Sequence, residues 1–278
     1  MAKALMIQGT ASGVGKTILT LALCRIFKQD GHSVAPFKSQ NMTTNTCFTE
    51  DGDEIAVSQL LQAFAAGVKP SVYMNPIILK PMGGETKAVV NGKLQETITI
   101  HNFREVKPRL VSVIMESYSR LCDEHDIIVI EGAGSPVELN LNTDDIVNMG
   151  MAKRANAPVI LVSDIDRGGV FASLYGTINL MTETERELVK ATVVNRFMGD
   201  AKQFEGGVKI LRDITKLPVA GVVPYTAIEL PEEDGLFEGS TLEASGDFET
   251  QIDKIADIVR KSLDMKLVYE ILNNGVKR

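Results

Sequence analysis

Apolar runs alternate along this chain with stretches of helical spacing. ALMIQ (4–8) predicts a strand, and a glycine-rich turn follows it. From Lys16 to Asp30 runs a helix that is apolar on nearly every side (Ile18, Leu19, Leu21, Leu23, Ile26, Phe27), the pattern of a buried helix; Gly31 stops it. SVAPFK (33–38) is a second strand, and Glu54 to Ala66 reads as a helix ended by Gly67. VVNGKL (89–94) sets Asn-Gly between apolar pairs, a hairpin signal. Leu110, Val113, Ile114, Ser117 and Leu121 keep helical spacing and lead into IIVIEG (127–132), whose branched residues predict a buried parallel strand. Asp145 to Arg154 is expected to be helical. PVILVSD (158–164), KATVVNRF (190–197) and VAGVVPY (219–225) are three more strands. Strands alternating with helices predict an α/β fold, a mostly parallel sheet with helices on both faces. No internal repeat is visible.

The pattern changes after Tyr225. Residues 229–250 are rich in Glu and Asp, with three glycines, and read as an acidic linker between a domain over 1–228 and a final amphipathic helix over 251–278. That helix carries a stripe of Ile252, Ile255, Ile258, Val259, Leu263, Leu267 and Ile271, expected to dock on the main domain. The 278 residues are 44% apolar and 23% charged, which excludes a disordered or collagen-like chain. No apolar run reaches the ~20 residues of a membrane span, and MAKALMIQGT lacks a signal-peptide layout, so a cytoplasmic location is expected. A net charge of −7 argues against bulk nucleic-acid binding but leaves room for an anionic small molecule in a locally basic cleft. Cys24, Cys47 and Cys122 are too scattered for a disulfide framework or a zinc site.

The strongest chemical signal is GTASGVGKT (9–17), lying after a strand and opening a helix. Such a turn aims main-chain N–H groups at one point, and the helix N-terminus adds about half a positive charge. Lys16 can reach outer phosphates there and the Thr17 hydroxyl can ligate magnesium, while Gly13 and Gly15 allow close approach. Five residues, rather than the common four, separate Gly9 from Gly15. Glu131 ends a strand where ligands gather in open α/β sheets, placed to hold a metal or its waters. Lys38, ending the second strand, is placed to stabilise charge on a transferring phosphoryl group. An acid at a strand end and a surface lysine also occur without chemistry, and the pattern alone leaves that open.

The longer loop, the EGAG segment (131–134) and a lysine placed like Lys38 resemble the family of dethiobiotin synthetase and the corrin-ring amidases. Within it, APFKSQNM, SVYMNPIILKP (71–81), VIEGAGSPVELNL, DIVNMGMA, SDIDRGGVFASLYGT (163–177) and GVVPY followed by LPEED look like the amino-terminal domain of the corrin-amidating branch, the cobyric acid synthases. The resemblance spans about residues 4–235. It implies a P-loop fold and an amide ligase that uses ATP and Mg to amidate peripheral carboxylates of cobyrinic acid a,c-diamide. It implies Lys16 and Lys38 as catalytic. It assigns ATP contacts to Thr10, Ser12, Gly13, Val14, Gly15, Lys16, Thr17 and Ile18, with Asn195 and Pro224 framing the adenine. It implies metal ligands in Thr17, Glu54 and Glu131, Asp53 being the rival of Glu54. Gln40, Asn41, Asn45, Arg167 and Gly168 are candidates for substrate contact, Arg167 as a carboxylate clamp. A homodimer is implied as well.

Nothing in the sequence looks like the glutaminase half of such enzymes, and none of the three cysteines has an evident partner among His32, His101 and His125. Nitrogen is therefore expected from a separate glutaminase or as free ammonium. The rivals are a dethiobiotin synthetase-type ligase and a partitioning-type switch ATPase; the latter carries an additional loop lysine where this chain has Ala11.

Overall fold

The structure is a computed structural model and describes residues 2–82, 85–98, 103–140, 145–226 and 246–275. Its centre is a six-stranded sheet built from β1 (Lys3–Gly9), β2 (Val34–Phe37), β9 (Ile127–Glu131), β10 (Val159–Asp164), β11 (Val189–Phe197) and β12 (Val219–Pro224). The order across it is β12-β11-β10-β1-β9-β2, with every pair parallel. The sequence predicts these strands because each is a short branched run buried on both faces. Alternate residues serve opposite sides. Leu5, Ile7, Val129 and Val162 pack under α1 (Lys16–Gln29), α2 (Val57–Ala66), α8 (Gly246–Ser262) and α9 (Met265–Asn274). Met6, Ile128, Ile130 and Leu161 pack under α3 (Phe103–Glu124), α4 (Met149–Ala155), α5 (Val170–Leu180) and α7 (Glu205–Thr215). A short turn of helix, α6 (Glu183–Arg186), precedes β11.

A second sheet of β3 (Gln40–Met42), β6 (Ile77–Met82), β7 (Glu85–Val90) and β8 (Lys93–Ile98) stands beside the first. The Asn-Gly hairpin is present: Asn91 (φ 46°) and Gly92 (φ 76°) turn β7 back as β8.

Three expectations are corrected in detail. The helix expected from Glu54 begins at Val57. Glu54–Ala56 is instead a strand, β5, paired antiparallel with β4 (Thr46–Phe48), because the Glu54 and Val57 amides bond to Gly92 and Asn45 carbonyls outside any helix. The helix expected from Asp145 begins at Met149. The Asp145 carboxylate accepts from the amides of Val147 (2.8 Å), Asn148 (2.8 Å) and Gly150 (2.7 Å), a capping arrangement that competes with helical bonding. The final stripe, read as one helix over 251–278, divides into α8 and α9. Leu263 leaves the helical path to bridge Gly221, and Asp264 restarts the helix by accepting from the Leu267 amide. The acidic stretch 229–250 lies outside the described residues as far as 245, and its last residues open α8.

The expected docking of the terminal stripe is visible, and ionic. Arg25 of α1, 4% exposed, donates to Asp253 (2.6 Å) and Glu249 of α8; Arg260 pairs with Asp30 (2.9 Å). Among the described residues no helix is long and apolar enough to cross a membrane.

Replacing Arg25 by Met leaves two carboxylates without their buried partner. We expect a loss of about 1–3 kcal/mol, read as a lower urea midpoint. The bond from Arg25 holds the Asp253 carboxyl below its ordinary value. A depressed native value means stability present above about pH 4 and lost as pH falls through the native value. The acid-side loss should therefore be shallower in the variant.

Candidate functional site

The strands of the main sheet present their carboxyl ends along one edge, and the candidate residues collect there. β1 runs directly into the turn 9–16. Gly15 has φ 97°, and a Cβ built there would lie 2.1 Å from the Asn195 amide nitrogen, so the last turn residue before α1 must be glycine. Asn195 Nδ2 donates to the Val14 carbonyl at 2.8 Å, tying the end of β11 to the turn. The Thr10 hydroxyl donates to Ser163 Oγ at the end of β10 (2.9 Å), and Val14 packs in the core at 4% exposure with Ile18 against it. The Ser12 hydroxyl lies near Gly134.

Lys16 is 6% exposed. Its Nζ donates to the carbonyls of Ala11 (3.0 Å) and Gly134 (3.1 Å), so it spans the turn and the segment after β9. Asn148 shapes that segment, accepting from the Ala133 amide (3.0 Å) and donating to the Ala133 carbonyl (2.7 Å).

Glu131 is fully buried and sits at the centre. Its Oε1 accepts from Thr17 Oγ1 (2.9 Å) and from Lys38 Nζ (2.9 Å), and its Oε2 accepts from Gln62 Nε2 (2.5 Å). The register explains the meeting. β9 lies between β1 and β2, Phe37 pairs with Ile130, and Lys38 therefore follows beside Glu131. Three of the residues named from the sequence, Thr17, Lys38 and Glu131, are thus brought together, with Lys16 alongside.

A hydroxyl and a carboxylate oxygen at one point are the donor chemistry of a hard cation. Mg²⁺ takes one or two protein oxygens and fills its shell with phosphate oxygens and water. Among the described residues there is no cluster of three or more His, Cys, Asp or Glu such as an all-protein metal cage needs. Thr17 Oγ1 and Glu131 Oε1, 2.9 Å apart, are donors of the kind that would suit Mg²⁺ held jointly with a phosphate.

Other candidates fall elsewhere. Glu54, buried, pairs with Lys80 of β6 and with the Thr46 hydroxyl, and Lys80 also donates to Thr46 Oγ1 (3.3 Å). Asp53 pairs with Lys93. Asn41 is buried and its amide donates to Ser58 Oγ and Gln59 Oε1 (3.2 Å each). Asn45 is also buried, Gln40 is half-buried, and Gly168 has φ 80° beside Arg167. Arg167, with a side chain 70% exposed, lies 3.7 Å from Asp164 and reaches the turn: a Cβ on Gly13 would be 3.5 Å from its guanidinium. Pro224 closes β12 opposite Phe197. The residue missed from the sequence is Gln62. A signal existed: α2 carries no charge, so its Ser58, Gln59 and Gln62 had to be bonded inside the protein.

A side chain at Gly15 would have to adopt a left-handed backbone and displace Asn195. An L-residue in that region costs ~1–2 kcal/mol before any clash. We expect Gly15→Ala to weaken nucleotide binding at least about tenfold, measured by titration with a fluorescent ATP analogue.

Comparison with known proteins shows the family of the chain. The family model described as the CobQ/CobB/MinD/ParA nucleotide binding domain matches residues 5–237. The chain is 55% identical over 243 residues to the cobyric acid synthase of Lachnoclostridium phytofermentans, covering 86% of this chain and 47% of that one. It is 53% identical over 239 residues to a cobyric acid synthase of Clostridium botulinum, covering 86% and 48%. The chain thus spans about half the length of the curated relatives it matches. Among solved structures, the MinD cell division protein of Aquifex aeolicus superposes with a TM-score of 0.47 at 14% identity, covering 94% of this chain and 96% of that one. With a strand, a glycine turn closed by Gly15-Lys16-Thr17 and a helix opening on a parallel sheet, the chain belongs to the CobQ/CobB/MinD/ParA family of nucleotide-binding domains.

Proposed function

We propose that this chain carries out the ATP- and Mg²⁺-dependent amidation of peripheral carboxylates of cobyrinic acid a,c-diamide, giving cobyric acid in cobalamin biosynthesis. The observation that carries the reading is the convergence of Thr17, Lys38 and Glu131 beside Lys16 at the strand ends. The identity to cobyric acid synthases over 86% of the chain supports the choice of substrate.

A carboxylate does not react usefully with ammonia in neutral water, because its oxygen is a poor leaving group. In the proposed reaction a carboxylate oxygen attacks the γ-phosphorus of ATP, the bond to the bridging oxygen breaks and ADP departs. Ammonia then attacks the acyl phosphate carbonyl, phosphate leaves with its bonding pair, and a proton is lost to give the amide. The protein must align two anions, worth ~7–11 kcal/mol of barrier when done well. It must also offset their repulsion. Lys16 would hold the outer phosphates in exchange for its two carbonyl contacts. Lys38 would face the transferring group. Thr17 and Glu131 would hold Mg²⁺, which supplies charge neutralisation to the phosphates when bound. Glu54 is the further candidate metal ligand, reached only if it leaves Lys80. Asn195 and Pro224 would frame the adenine. Arg167 is exposed beside the turn and would clamp a substrate carboxylate in exchange for its contact with Asp164, with Gly168, Gln40, Asn41 and Asn45 as further contacts.

Burial pushes the Cys24 thiol far up, burial and the Glu54 charge push Cys47 up to about 11, and burial raises Cys122, so none of these three thiols is set up as a nucleophile. Ammonia would come from a separate glutaminase or from free ammonium, with a second copy of this chain as the other proposed partner.

Purified chain given ATP, Mg²⁺, ammonium and cobyrinic acid a,c-diamide should release ADP only when the corrinoid is present. Release without it would support a switch ATPase instead. Glutamine in place of ammonium should give no turnover. Lys38→Ala should lower kcat about 10²–10³-fold in the same assay, with KM for ATP changed far less. Arg167→Ala should raise KM for the corrinoid about tenfold; an unchanged KM removes the clamp.

A further inference from the structure

Glu131 receives donors from three elements, and the one from α2 stands out. Gln62 is 0% exposed. Its Nε2 donates to Glu131 Oε2 at 2.5 Å and to the main-chain carbonyl of Thr17 at 3.3 Å. Both neighbours can only accept: one is a carboxylate bound to Lys38, the other a peptide oxygen. The amide orientation is therefore fixed by chemistry, since a flipped amide would face oxygen with oxygen. The same orientation leaves Oε1 buried with no donor among the described residues. A buried carbonyl without a donor is unfavourable, and such groups in proteins commonly await a water or an ion. Here the orphan belongs to a side chain bonded to both proposed holders of a cation.

We propose that Gln62 is the positioning residue of the cation site. Its NH₂ group locks the Glu131 carboxylate against the first turn of α1, so that Thr17 Oγ1 and a Glu131 oxygen face one point. Its carbonyl, buried without a donor among the described residues, would accept from a water when the cation is bound. Magnesium keeps several of its waters, so an acceptor beside two protein oxygens has a defined task. Groups that orient metal ligands commonly set metal affinity 10–100-fold. The inference rests on the Mg²⁺ reading of the site above.

The test reads nucleotide binding, not turnover. ATP is titrated calorimetrically into the full chain and into Gln62→Met, once in EDTA and once in Mg²⁺. Methionine keeps the length and bulk while removing both the donor and the acceptor. The expected result is an affinity in EDTA within about twofold of the unaltered chain, and a Mg²⁺-conferred gain reduced about tenfold or more. Gln62→Asn, one methylene shorter but still an amide, should behave alike and decides the matter if the Met variant fails to fold. A merely structural role would lower both affinities together, and that outcome overturns the proposal. So does a full Mg²⁺ gain in either folded variant, in which case the cation site itself stands. If the unaltered chain binds ATP equally with and without Mg²⁺, the cation reading fails and Gln62 loses its role with it.

Discussion

A carboxylate and an ammonium, both shut off from water, hold one another 2.9 Å apart at the carboxyl edge of the main sheet. Taking Lys38 and Glu131 to 2% and 0% exposure costs more than their attraction alone returns, unless further hydrogen bonds fill the remaining positions. Thr17 and Gln62 fill them. An apolar pair of similar volume would hold the strands together as well or better. The charges are therefore poor glue, and the surrounding chain is arranged to tolerate them. Losing one partner would strand the other in the interior, at ~3–5 kcal/mol, so the four side chains are ordered as a unit.

Topology makes the unit possible. β1 and β2 are consecutive along the chain, yet they are not neighbours; β9 is inserted between them. The helix after β1 brings Thr17, the end of β2 brings Lys38, and the intervening strand ends on Glu131. On the other side of β1, Asp164 and Pro224 end their strands and Asn195 lies two residues before the end of β11, next to the turn that it supports. An open parallel sheet offers its ligand crevice where the strand order reverses, and β1 is that point here. One edge thus gathers a phosphate turn, a buried charge pair and two flanking walls, each contributed by a different strand end.

How much of this the sequence discloses depends on what fixes each element. The six parallel strands are legible because burial on both faces writes itself as a branched apolar run, as in IIVIE and VILVS. The turn 9–17 is legible because its chemistry forces its composition. The start of α2 is not: Glu54–Ala56 has helix-compatible residues, and only the distant amide and carbonyl partners at Gly92 and Asn45 make it strand. The break at Leu263 is hidden for the same reason, since an unbroken apolar stripe gives no hint of a bridge to Gly221. β6 is not legible as a strand, because Pro81 breaks its apolar run. Lys38 and Glu131 could be named singly, as residues at strand ends, but their contact needs the strand order, which no local pattern contains. Gln62 is hard to single out because an amide on a helix is ordinarily solvated, and only the absence of charge on α2 marks its surroundings as buried.

The remaining constraint is rigidity. An anion is held well only by dipoles that need not reorganise when it binds. α1 meets that demand through enclosure: from Leu19 to Phe27 every residue is buried, against the sheet, α2 and α8. Apolar packing alone permits sliding along the helix axis, and a shift of the N-terminus by even 1 Å would misplace the main-chain donors of the turn. Directional bonds prevent that. Arg25 is gripped by Glu249 and Asp253, and Asp30 is gripped by Arg260 and Tyr269. These bonds lie toward the far end of the helix, while Thr17 and Lys16 are tied to Glu131 and Gly134 at the near end. Fixed at both ends, α1 holds the nucleotide-binding turn in place, and the two carboxyl-terminal helices take part in that from the far end of α1.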